Sequence, residues 1–179
     1  LNPIAAGGVV VFAIFLIWQA NIGTLVANRY VIKAVSADNV EESIEYFKKA
    51  LDTPMEKYEA REHFAQKLGR SSYQLTNIAA DEKAMFLEIF ELGEREMEKS
   101  IQENPLDFRH HLFAGEVYTA SFRISGNPEK VIRAQDILKK ATELSPTNQQ
   151  GYWQLAEINV AQGNVDAAQA RSYVYIPHS

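Results

Sequence analysis

Phe108 to Tyr118 reads FRHHLFAGEVY and Val131 to Leu144 reads VIRAQDILKKATEL, and these two stretches decide the fold. Both repeat their apolar side chains at the three-to-four-residue spacing of one helix face. The first carries Ala114-Gly115 with Tyr118 three residues on; the second carries Ala134, Leu138 and Ala141 in register. Small side chains on an apolar face let two helices cross closely, and larger ones in adjacent turns fill the space between them. Ser145-Pro146 follows the second stretch, and a proline cannot continue a helix.

The pattern recurs on either side. Asp38 to Leu51 (DNVEESIEYFKKAL) puts Ser43, Phe47 and Ala50-Leu51 at the small, aromatic and small-apolar positions. Asp38 is placed to cap that helix, with Glu41 and Glu42 in its first turn. Downstream come Tyr152, Leu155-Ala156, a turn at Gly163-Asn164 and Ala167-Ala168. Three helix ends, ALDTP, SIQENP and ATELSP, close matching stripes. Helix pairs repeating in this way, at about 34 residues per unit, resemble tetratricopeptide (TPR) repeats. The expected fold is all-α: an N-terminal transmembrane helix (residues 1–23), then a TPR-like α-solenoid (24–179) of about three and a half helix-pair units, near 24–54, 55–105, 106–146 and 147–179. The second unit is irregular, with a helix from Pro54 to Leu68 ending at Gly69, a polar stretch from Arg70 to Ala80, and a long helix from about Asp81 to Glu103. Pro105 to Pro146 is also long, and its excess is assigned to Ser121–Pro128.

Working back to the start, Ile4 to Trp18 reads IAAGGVVVFAIFLIW, and no charged residue occurs before Arg29. About 20 apolar residues are needed to cross a bilayer core, so Ile4 to Ile22 is expected to span a bacterial inner membrane and touch lipid, with Trp18 at the interface. Leu25 to Val35 would then form the first helix of the first repeat, close beneath the bilayer. Arg29 and Lys33 flank the span on its C-terminal side, which places the repeats in the cytoplasm by the positive-inside rule. The chain begins with Leu1, and we read it as the tail of a longer frame.

Net charge is −5 and the basic residues are interspersed with acids, which argues against nucleic acid. The absence of cysteine excludes disulfides, thiolate metal sites and a cysteine nucleophile. His110 and His111 are adjacent, about 100° apart on a helix, and cannot chelate one metal as an i, i+4 pair would; packing or surface roles are expected for them. No phosphate loop, nucleophile elbow or zinc-protease motif occurs. No catalytic residue, metal site or cofactor is expected in this chain. The chemistry left is recognition: the first helices of successive repeats line a groove that takes a protein or peptide partner. Counting registers, the groove-facing candidates are Tyr58 and Arg61, then Arg109, Leu112 and Glu116, then Trp153 and Glu157. Trp153 neighbours Tyr152, which holds the core register, so the indole is expected to face the groove as an anchor.

The span Ile4–Trp18, the segment Asn21 to Val35, EESIEYFKKAL (Glu41–Leu51), EAREHFAQ (Glu59–Gln66) and NPLDFRHHLFAGEVY (Asn104–Tyr118) together resemble the C-terminal end of bacterial O-antigen ligase/polymerase-like membrane proteins. That resemblance implies a parent enzyme that transfers or polymerises lipid-linked glycans, with its catalytic residues and glycan contacts upstream of this chain. It also implies a repeat domain outside the cytoplasm, opposite to the charge reading. The alternative is a stand-alone, single-span TPR scaffold for assembling envelope complexes; a third option is a TPR protein with an uncleaved signal.

Overall fold

The computed structural model describes residues 3–37, 39–53, 57–75 and 80–162. Seven helices are present among them: α1 (Pro3–Ser36), α2 (Val40–Leu51), α3 (Tyr58–Ser72), α4 (Ala80–Glu103), α5 (Phe108–Ser125), α6 (Pro128–Leu144) and α7 (Gln149–Ala161). The chain divides into two compact units, Leu1–His63 and Phe64–Ser179.

In the first unit, α1 and α2 pack on each other through Ala27, Val31 and Ala34 on one side and Ile44, Phe47, Ala50 and Leu51 on the other. Ser43 sits at the small position for a second reason besides size. Its hydroxyl donates to the Ala34 carbonyl at 2.7 Å, one of the last carbonyls of α1, which has no partner within its own helix. The cap of α2 is Asn39, whose Oδ1 accepts from the Glu42 N–H at 2.7 Å; Asp38, the residue expected in this role, lies outside the described residues. Tyr30 stacks on Tyr46 at 6.3 Å between ring centroids, with the Lys33 ammonium 5.0 Å above the Tyr46 ring.

The expected transmembrane span is not upheld. No helix among the described residues is long and apolar enough to cross a membrane. This overturns the placement in an inner membrane and the lipid contact through residues 4–22. The physical reason is that an uncharged segment is not the same as an apolar one. Gln19, Asn21, Thr24 and Asn28 are polar. From Ala27 on, α1 turns Ala27, Val31 and Ala34 toward α2.

The second unit stacks α4, α5, α6 and α7, each on its predecessor, with the end of α3 against α4 and α5. Its core gathers Leu112, Val131, Ala134, Leu138, Leu155 and Ile158, with Tyr118 and Phe122 packed against them. Glycines sit where helices meet: a Cβ at Gly93 would overlap Leu68 of α3, one at Gly115 would overlap Leu138 of α6, and one at Gly151 would stand 2.9 Å from the Thr142 methyl. Close crossings at small residues and short reversals between consecutive helices make the unit TPR-like and solenoid-like.

The reversals share one construction. Asp107 N–H donates to the Asn104 carbonyl at 3.2 Å, and Asn148 N–H to the Ser145 carbonyl at 3.0 Å. Each turn places a proline, Pro105 or Pro146, second of four, where its fixed φ is pre-set. The fourth residue then caps the next helix: Asp107 accepts from Arg109 N–H at 3.0 Å and Asn148 from Gln150 N–H at 2.9 Å. Between α5 and α6, Gly126 takes the left-handed conformation (φ 72°), Asn127 caps and Pro128 opens α6. The stretch Ser121–Pro128 is therefore mostly added helix, an extension of α5 by residues up to Ser125, where an insertion was expected. Likewise α3 runs through Gly69 to Ser72. The turn expected at Gly163-Asn164 and the small pair Ala167-Ala168 that follows it in the fourth repeat lie outside the described residues.

Gly115→Ala is expected to lower stability by about 1–3 kcal/mol, because the added methyl must displace the buried Leu138. A shift of the urea midpoint with unchanged slope would register it.

Candidate functional site: a cleft between α5 and α7

Arg123 organises the polar end of the second unit. It lies on the added turns of α5 and reaches the end of α3 and the middle of α7. Its Nη1 donates to Ser72 Oγ at 3.0 Å, and its Nη2 donates to the Tyr73 hydroxyl at 3.0 Å and to Glu157. The guanidinium also lies over the Tyr73 ring, 4.1 Å from its centroid. Tyr73 in turn donates to Glu157 at 2.7 Å. Burial, and the Glu157 carboxylate that accepts its proton, push the Tyr73 phenol above its ordinary range.

Beside this cluster is a small cleft of about 50 Å³, lined by Tyr73, Glu116, Thr119, Arg123, Trp153, Gln154 and Glu157. Glu116, Thr119 and Arg123 stand at three- and four-residue intervals on α5, so one helix face supplies all three. Trp153, Gln154 and Glu157 come from one turn of α7. Trp153 is 66% exposed at the rim, whereas Gln154 is only 7% exposed. Gln154 Oε1 has no hydrogen-bond partner among the described residues.

Glu116 is the electrostatic oddity. Its carboxyl lies against the backbone at Gly69, where a Cβ would collide with it. Desolvation raises its pKa from 4.5 to about 7, partly opposed by the charges of Arg70 and Arg123 and reinforced by Glu157. An acid in this state binds or releases a proton near neutrality according to what is placed beside it.

The residues expected to face a groove divide. Glu116, Trp153 and Glu157 come together in the cleft. Arg109 is exposed and held by Asp107, which accepts from Arg109 Nη2 at 2.8 Å; this pairing keeps the Asp107 carboxyl below its usual range. Leu112 is 3% exposed and belongs to the core, so its side chain is not available to a groove. Tyr58 and Arg61 belong to the first unit, and Arg61 is buried. Sequence reading missed Tyr73, because it lies in a polar stretch read as a connection. It missed Arg123 because that residue lies in the supposed insertion, although its seven-residue distance from Glu116 put both on one helix face. The two histidines are buried: with carbonyls as acceptors, His110 Nδ1–H donates to Ser100 at 3.0 Å and His111 Nε2–H to Pro105 at 2.9 Å.

No family model matches the chain, and no curated protein matches it. Among solved structures it is similar to MamA 41-end from Desulfovibrio magneticus RS-1, with 14% identity over 87% of this chain and 92% of that one, at a TM-score of 0.43. It is also similar to the MamA RS-1 ArsTM double mutant, with 16% identity over 87% and 91% and a TM-score of 0.42. Nothing in these comparisons supports the expected kinship with O-antigen ligases.

Glu116 makes stability depend on pH. The native carboxyl keeps its proton up to about pH 7, while the unfolded chain loses it near 4.5. Between those values the native state holds more protons, so this group's contribution falls as pH rises. Glu116→Gln should remove that fall: relative to the wild type, the variant should gain up to about 3 kcal/mol between pH 4 and pH 8. Urea titrations of both proteins across that range measure it.

Proposed function

We propose that the chain is a TPR-type protein-interaction module and that the cleft between α5 and α7 is where a partner peptide docks. The observation that carries this reading is Trp153, a large aromatic side chain left 66% exposed at the rim of the cleft. Holding an indole in water next to buried polar groups has a cost that a partner covering it would recover. The surroundings fit: a rigid floor of α5 and α7, a small depression, and hydrogen-bonding groups pre-oriented by Arg123. Tyr73 and Glu157 are locked by that guanidinium before any partner arrives, which lowers the ordering cost of binding.

The test is selection of peptides from a displayed random library on the folded chain, followed by Trp153→Ala. Selected peptides should bind the variant at least tenfold more weakly, with helical circular dichroism unchanged because the side chain is exposed. Equal binding to both proteins would remove the cleft from the interaction.

A further inference from the structure

We infer that the cleft takes an arginine side chain of a basic partner peptide, its guanidinium set among the Glu116 carboxylate, the Gln154 side-chain carbonyl and the Trp153 indole. This deepens the docking reading above and rests on it.

The charge inventory comes first. The cleft is lined by two carboxylates, Glu116 and Glu157, and one cation, Arg123. That cation is committed to Ser72, Tyr73 and Glu157. Among the described residues no hydrogen bond reaches Glu116; Arg70 of α3 acts on it through charge alone, from an exposed position. An anionic ligand would meet a surplus carboxylate, and a neutral apolar one would seal it in without a partner. A cation removes the surplus.

A second observation points the same way independently of charge. Gln154 lines the cleft with a side chain more than nine-tenths buried, and its Oε1, itself shielded from solvent, has no donor among the described residues; a turn of the side-chain amide would bring it to a ligand. Such a buried unpaired acceptor costs about 1–3 kcal/mol; Glu94 Oε1 and Ser121 Oγ are in the same state among the described residues, but neither residue lines the cleft. The missing chemistry at both groups is therefore N–H donors carried on a positive charge.

Guanidinium meets this need better than ammonium. It is planar, offers five N–H donors in a fixed fork, stacks on aromatic faces and is more weakly hydrated. Trp153 presents the kind of ring a guanidinium stacks on. The cleft, about 50 Å³ on the measure by which one water needs roughly 10–15 Å³, has room for a group larger than one water, with the peptide backbone outside. The same arrangement already exists in the lining of the cleft: Arg123 lies over Tyr73 and pairs with Glu157. The second guanidinium would use Trp153 and Glu116 as the first uses Tyr73 and Glu157.

Capture is then coupled to a proton. The groups facing Glu116 are Arg70 and Tyr73 from α3 and its end, Arg123 from its own helix, and Glu157 from α7. With this carboxyl titrating at about pH 7, a bound guanidinium favours the ionised form and expels the proton. Affinity should fall about tenfold from pH 8 to pH 6.

The test uses a blocked ten-residue peptide with one central arginine and its twin carrying citrulline, the neutral isostere. The chain has two tryptophans, so the Trp153 indole N–H signal is assigned by Trp153→Phe and followed by NMR during titration. The arginine peptide should bind at least tenfold more tightly than the citrulline peptide and lose about tenfold between pH 8 and pH 6. Glu116→Gln, which keeps shape and volume, should weaken arginine binding about tenfold and flatten its pH dependence. Gln154→Met should weaken it severalfold while leaving the pH dependence in place. Equal affinity for the two peptides overturns the inference, as does wild-type behaviour of Glu116→Gln. If both peptides bind equally and Trp153→Ala abolishes both, peptide docking stands and only the arginine assignment falls. If neither these peptides nor the library-selected ones perturb Trp153, both readings fall.

Discussion

The close crossing of α5 and α6 is the constraint on which the second unit depends. Gly115 has no side chain because Leu138 occupies the place where one would be. That contact fixes the distance between the two helices, and through it the positions of Ala114, Ala134 and the rest of the core. Interiors at crystal-like density leave little room to accommodate an extra methyl at such a point. The flanking turns act in the same sense. Proline at the second position and an Asx cap at the fourth set where one helix stops and the next begins, so α4 meets α5, and α6 meets α7, at reproducible registers.

Rigid registers matter because the cleft is assembled from three places in sequence: the end of α3, the outer turns of α5 and one turn of α7. Arg123 joins them. A guanidinium can donate to several acceptors while lying on an aromatic ring, and here it satisfies Ser72, Tyr73 and Glu157 together. A second polar seam ties α4 to α6 on another side: Lys130 pairs with Glu94 at 2.5 Å, and Arg133 with Glu98 at 2.7 Å, with Tyr118 donating to Glu98 at 3.1 Å. Burial beneath the Glu98 and Glu94 carboxylates drives the Tyr118 phenol far above its ordinary range, so this tyrosine stays a donor at every physiological pH. The two seams differ in consequence. The Glu94–Glu98 seam has cations for both of its carboxylates, whereas among the described residues no hydrogen bond reaches the Glu116 carboxyl or Gln154 Oε1.

The N-terminal helix shows how a coarse sequence rule fails. A count of uncharged residues took Ile4 to Ile22 as one apolar span, yet the amides of Gln19 and Asn21 interrupt that run, and Thr24 and Asn28 follow before the first charge. The exposed side chains from Val9 to Trp18 are apolar, but the helix they belong to turns its later face, Ala27, Val31 and Ala34, toward α2. A single 34-residue helix thus combines an apolar outer run with a repeat-packing half.

Much of the fold was legible in the chain itself. Helical periodicity, small residues at crossings, and the ENP and LSP breaks are local properties, and the backbone obeys them wherever the sequence lies. They fixed the helix type, the approximate ends and the core assignments of Phe47, Gly115, Leu138 and Leu155. Trp153 is exposed, as its register implied, although its neighbour Tyr152, expected in the core, is only half-buried. Other features depended on distance in space. A register count cannot tell a groove residue from one a turn away in the core, which is why Leu112 was misplaced and Arg109 was not seen to serve its own helix cap. Nor can it show that the extra turns of α5 would carry Arg123 to Tyr73 and Glu157, or that Gly69 would desolvate Glu116. Sequence by itself determined which faces are apolar and where the helices reverse, because these follow from side-chain chemistry at short range. Only the tertiary structure decided which polar groups share the cleft and which of them lack partners, because burial and charge are properties of the packed neighbours.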